Sequence, residues 1–125
     1  MTRAITSALL LVVLLTTGAS SWAATPSTAA RAEIDHLLAY VEKSGCRFDR
    51  NDTWHDSRDA SAHLARKERY LEERGEITSA EDFIAKAATK SSMSGKPYMV
   101  RCGSEPDVGS AEWLTVELRQ FRQGR

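Results

Sequence analysis

The chain has 125 residues, 42% of them hydrophobic, with 17 basic and 17 acidic side chains and a formal net charge of zero. That balance argues against nucleic acid or an anionic membrane as the main partner. The signs are interspersed, as in ARKERYLEERGE (65–76), and no long basic block occurs.

The first 23 residues have the layout of a secretory signal peptide. Arg3 makes a short basic start, and an apolar run extends from Ala4 to Thr16. Gly18 breaks it, and Ser21-Trp22-Ala23 offers small residues at the −3 and −1 positions of a cleavage site. The run is too short for a comfortable membrane span, which needs roughly 20 residues. A cut after Ala23 is therefore expected, leaving no stable membrane anchor. No cysteine lies near that cut, which excludes a bacterial lipoprotein. The expected organisation is a signal peptide (1–23), a small polar flexible lead-in (24–30) and a single α+β domain (31–125), exported to the periplasm.

The first helix is expected over about Ala30 to Lys43. Ile34, Leu37, Leu38 and Val41 recur at helical spacing and make one apolar stripe, and Gly45 ends it in a left-handed cap. A hairpin follows from Cys46 to His55. A two-residue loop at Asn51-Asp52 would put Phe48 and Trp54 on opposite faces. A three-residue loop, Arg50 to Asp52, pairs them directly, and burying both aromatics favours this second register. Asp56 or Ser57 caps a helix over about Arg58 to Arg74, with Ala60, Leu64 and Leu71 as a narrow apolar stripe and Gly75 as its stop.

Thr78 and Glu81 have capping-box spacing for a third helix that buries Phe83, Ile84, Ala87 and Ala88. The stretch TKSSMSGKP (89–97) predicts no regular element. Tyr98 to Cys102 reads as a strand with Tyr98, Val100 and Cys102 on one face. Gly103 to Gly109 reads as a loop. Ser110 caps a last helix, about Ala111 to Gln123, burying Leu114, Leu118 and Phe121 beside Trp113. The simplest assembly is α+β: a small three-stranded antiparallel sheet packed with about four helices.

The chain has two cysteines, Cys46 and Cys102, so one pairing is open to it. An oxidising compartment favours the bridge, which is worth about 4 kcal/mol in the chain-entropy model. Two cysteines with no CxxC and no nearby histidine pair make a weak zinc site.

The runs EIDHLLAYVEKSGCRF, RNDTWHDS, ASAHLARKERYL, SGKPYMVRCG and AEWL resemble the YfeK-like family of small exported bacterial proteins. The resemblance covers nearly the whole mature domain. It implies a periplasmic location in a Gram-negative bacterium and carries no established activity. Where that family often has Asn-Gly at the hairpin turn, this chain has Asn51-Asp52.

The most testable polar group lies on the second helix. Asp59, His63, Arg66 and Tyr70 run along one strip, and Lys67 falls inside the apolar stripe. A lysine there either snorkels along apolar surface or holds an anionic ligand at a pocket edge, with His63 beside it. The binding surface expected from this reading is His63, Lys67, Ser94 and Tyr98. His55, Asp56, Asp59 and His63 could also be read as a metal cluster, without the sharpness of HExxH. On a bland reading, the two aspartates stabilise the helix start and His63 pairs with Asp59.

A hydrolase would need His63 as base near a loop serine, Ser91, Ser92 or Ser94, and no GxSxG is present. Gly95-Lys96 is no phosphate loop, since Pro97 replaces the required Ser/Thr. With no catalytic constellation and no cofactor motif, the leading expectation is a non-enzymatic binding module for another envelope protein or a small ligand.

Overall fold

The computed structural model describes residues 18–19 and 24–125; the predicted signal peptide, but for Gly18 and Ala19, falls outside them. Among the described residues, four helices accompany one four-stranded antiparallel sheet in the strand order β2-β1-β3-β4. The order along the chain is α1 (Thr28–Lys43), β1 (Arg47–Arg50), β2 (Thr53–His55), α2 (Ser57–Glu73), α3 (Ala80–Asp82), β3 (Met99–Arg101), β4 (Val108–Gly109) and α4 (Ser110–Gln123). No helix among the described residues is long and apolar enough to cross a membrane.

Helix α1 starts two residues before the expected point because Ser27 caps it, its hydroxyl accepting the Ala30 N–H. Its stripe is as expected: Ile34, Leu37 and Val41 are fully buried, each contributing about 1.5–3 kcal/mol. Gly45 follows with φ +66°, a conformation glycine adopts without a Cβ penalty. Asp56 caps α2 by accepting the Asp59 N–H.

The third helix departs from expectation in two ways. Ser79, not Thr78, is the cap, and its hydroxyl accepts the Asp82 N–H. Thr78 instead donates its N–H and hydroxyl to the Asp82 carboxylate. After Asp82 the helix widens into a π-helical turn (Phe83–Ala87), and Phe83, Ile84, Ala87 and Ala88 are buried as predicted.

The hairpin register also differs. Phe48 pairs with His55, Asp49 with Trp54 and Arg50 with Thr53, so the loop is the two-residue Asn51-Asp52. Both loop residues have positive φ, 54° and 64°. That is the type I′ turn whose twist matches the strands it joins. Phe48 therefore points into the core, and Trp54 points to the opposite face, where the Arg101 guanidinium stacks 4.0 Å from its ring centroid. The two aromatics need not share a face, because each has its own partner.

The sheet has a fourth strand in place of the loop read over 103–109. β4 pairs Val108 with Val100 and Gly109 with Met99. Two residues are too few for an alternation signal, and the flanking Gly103 and Pro106 hid the strand. Gly109 rather than Ser110 occupies the cap of α4, and Ser110 is the first helical residue, 2% exposed.

Phe48 lies opposite Val100, and the next inward positions on the same two strands are Cys46 and Cys102. These form a disulfide with Cα atoms 4.5 Å apart. The predicted parity is thus realised, and the bridge ties the start of β1 to the end of β3. Trp113 packs edge-on to Phe48 and against Tyr40, closing the core between the sheet, α1 and α4.

Candidate functional site

Tyr98 leads into β3 and is 7% exposed. Two side chains from adjacent turns of α2 meet its hydroxyl. His63 Nε2 lies 3.3 Å from it, and Lys67 Nζ donates to it at 3.3 Å. Lys67 also donates to the Lys90 carbonyl at 2.8 Å and stands 5.1 Å from the Tyr98 ring centroid. The lysine in the apolar stripe is thus half-buried, its head lying by the Tyr98 ring and tying α2 to the 89–97 segment. The i, i+4 spacing of His63 and Lys67 on one helix makes the convergence.

A small pocket opens beside this cluster, with a volume of about 20 Å³, room for one water-sized group. Phe48, Ala60 and Leu64 supply apolar wall, and Arg50, His55 and His63 also line it. Arg50 and His55 reach it because they share the inward face with Phe48 in the observed register. Ser110, expected only as a cap, lines it as well.

The electrostatics are one-sided. Burial, then the charges of Arg50, Lys67 and Arg66, push the His63 imidazole down to about 4. The ring is therefore neutral at neutral pH. Burial lowers the Lys67 ammonium from its ordinary value and raises the Tyr98 phenol. These groups resist ionising because the pocket is poorly solvated.

Ser94 is not joined to the other three. Its hydroxyl donates to Asn51 Oδ1 and accepts the Lys96 N–H, which pins the 89–97 segment onto the hairpin turn. That segment is more ordered than its composition predicts. Ser91 Oγ accepts the N–H groups of Met93 and Ser94, and Lys90 bridges to Pro97. No hydrogen bond joins His63 to a serine among the described residues.

The metal reading is not assembled. Asp56 is spent on its cap, His63 turns to Tyr98 rather than to Asp59, and no group of three metal-ligating side chains converges among the described residues.

Arg50 is the site residue that sequence reasoning missed, and His55, read there only as a metal candidate, was not placed beside it. Their placement depends on the hairpin register, and the three-residue loop would have turned the pairing partners of β2 by one position. The two-residue turn signal, Asn followed by a residue that tolerates positive φ, was the available clue.

The model of a family of unknown function, DUF5329, matches residues 28–122, and the chain belongs to that family. No curated protein and no solved structure matches it.

Proposed function

We propose that this chain is a non-enzymatic binding module exported to the periplasm, and that its binding surface is the Tyr98 face, with His63 and Lys67 at its centre and Ser94 on the adjoining loop. The partner is another envelope protein or a small ligand. The observation that carries the reading is the convergence of two nitrogen groups of α2 on one buried hydroxyl beside a pocket. A lysine head drawn into a poorly solvated site loses hydration that its bonds to Tyr98 and the Lys90 carbonyl do not fully offset, since burial still lowers its ammonium from the ordinary value.

Export is supported by the Cys46–Cys102 disulfide, which persists in oxidising compartments. The layout of residues 1–23 and the resemblance to YfeK-like exported proteins point the same way. The hydrolase alternative finds no support in the geometry. His63 is engaged with a tyrosine, and the Ser91 and Ser94 hydroxyls are consumed in shaping their own turn.

A photocrosslinking residue at exposed Arg66, beside the site, tests this in cells. A control crosslinker goes at Arg119, which lines a separate groove against the π-helical turn. The reading expects an adduct from position 66 that disappears in Lys67→Met and is absent from position 119. Equal adducts at both positions, or none at 66, would sink it.

A further inference from the structure

Six basic side chains are half-buried among the described residues: Arg31, His36, Arg50, His55, His63 and Lys67. Two of them have carboxylate partners. Arg31 is paired with Glu68 at 2.7 Å and with Glu72, and His36 with Glu117 at 2.8 Å. The other four have none among the described residues; Arg50, His55 and His63 line the Tyr98 pocket, and Lys67 meets the Tyr98 hydroxyl beside it. A half-buried guanidinium loses water without gaining a counter-charge, which is unfavourable unless something else supplies the anion.

Asp49 is the one carboxylate-bearing residue that lines this pocket. Its side chain belongs to the opposite face of the sheet, since it pairs with Trp54 and alternates with Phe48. There its charge acts on Arg101 and Lys96. It is therefore no counter-ion for Arg50.

We infer that this pocket binds a small monocarboxylate: the carboxylate on Arg50, flanked by the His55 and His63 rings, and a short apolar end in the slot formed by Phe48, Ala60 and Leu64. The inference rests on the binding reading above and names the ligand's chemistry. A guanidinium fork matches a carboxylate with two parallel hydrogen bonds. The slot behind it holds one water-sized group between carbon walls, which suits a methyl or methylene. Phosphate fits less well, because its further oxygens would press against carbon without partners. The His63 ring, neutral at neutral pH, has an N–H to donate, and Arg50, Arg66 and Lys67 supply the positive field around it.

The test is a titration of the purified, disulfide-bonded protein followed by NMR signals of the Arg50 side chain and the His63 and His55 rings. The probes are acetate, propionate, propionamide and inorganic phosphate. Propionate and acetate are both expected to bind saturably and within a few-fold of each other, because the slot holds a single methyl-sized group. Phosphate should bind more weakly, and neutral propionamide should produce no saturable shift. Arg50→Met should weaken propionate about tenfold, the loss of a charge-assisted pair. Arg101→Met, on the other face of the sheet, should leave binding unchanged.

If Arg50→Met does not fold, Arg50→Lys retains the charge without the fork and should still weaken propionate several-fold. Phosphate binding as tightly as propionate, saturation unaffected by the Arg50 variants, or no saturation by any carboxylate overturns the inference. Carboxylate binding that fails while the Arg66 crosslink persists overturns this ligand class alone. A lost crosslink with carboxylate binding intact overturns the protein-partner form of the broader reading.

Discussion

The Arg101 guanidinium carbon sits over Trp54, 4.0 Å from the ring centroid, and the guanidinium is held in place by Asp107 at 2.8 and 2.9 Å. This stack sits on the face of the sheet opposite Phe48. It gives Trp54 an environment outside the core, and so permits the two-residue hairpin.

Truncation distinguishes the two faces. Phe48→Ala should cost about 3–5 kcal/mol, because it opens a cavity beside Val100 and Trp113. Trp54→Ala should cost about 1 kcal/mol, the worth of a half-exposed cation–π contact and some covered area. Denaturant titration of both variants checks this. Equal costs would mean that Trp54 shares the core and that the register is wrong.

The turn itself is improvable. Asp52 holds φ 64°, a conformation that favours glycine. Asp52→Gly should stabilise by about 0.5 kcal/mol, the relief of left-handed backbone less the small contribution of the exposed Asp52–Lys96 ion pair. Repeating the substitution in a Lys96→Met background removes the ion pair from the comparison and should reveal a larger gain. A destabilised double variant would contradict the type I′ assignment.

His63 makes stability depend on pH. Its folded value of about 4 lies below the ordinary value of 6.5. The unfolded chain therefore takes up the proton first. This contribution is complete above about pH 6.5 and is lost as pH falls toward 4. Glu33 and Glu81, lowered mainly by hydrogen bonds from Arg122, lose their contributions only below their ordinary 4.5. Glu72, raised chiefly by its hydrogen bond with Glu68, works in the opposite direction above that value. The His63 effect is isolated as the difference between the protein and His63→Gln. That difference should change by on the order of 1 kcal/mol between pH 7 and 5, less than full linkage because the ring is partly solvated. Parallel pH profiles for the two proteins would remove the depressed imidazole.

The disulfide spans 56 residues of sequence and joins neighbouring strands. Replacing both cysteines by serine should cost about 4 kcal/mol, as expected for closure of a loop of that length. Alkylation of the untreated protein should label no thiol, since both cysteines are paired.

Much of the architecture was legible in the residues. Ile34, Leu37 and Val41, the helix stops at Gly45 and Gly75, the buried set from Phe83 to Ala88, and the parity that aligns Cys46 with Cys102 all follow from periodicity and local backbone preference. These are short-range constraints, carried by neighbours in the chain. His63 and Lys67 could be singled out for the same reason, as polar side chains on or beside an apolar stripe.

What lay beyond reach depended on partners distant in sequence. The π-helical turn after Asp82 is a packing outcome that no spacing announces. β4 exists because Val108 finds Val100, and two residues carry too little pattern to show it. The hairpin register was decided by Arg101, 47 positions from Trp54 in the chain, which offered that ring a place outside the core. The register in turn brought Arg50 and His55 to His63. Composition and periodicity determined the longer helices, the strands that carry the cysteines and the disulfide between them; the one-sided cluster of bases arose only when two strands and a helix closed on Tyr98, because unpaired charge is a property of surroundings and not of a residue.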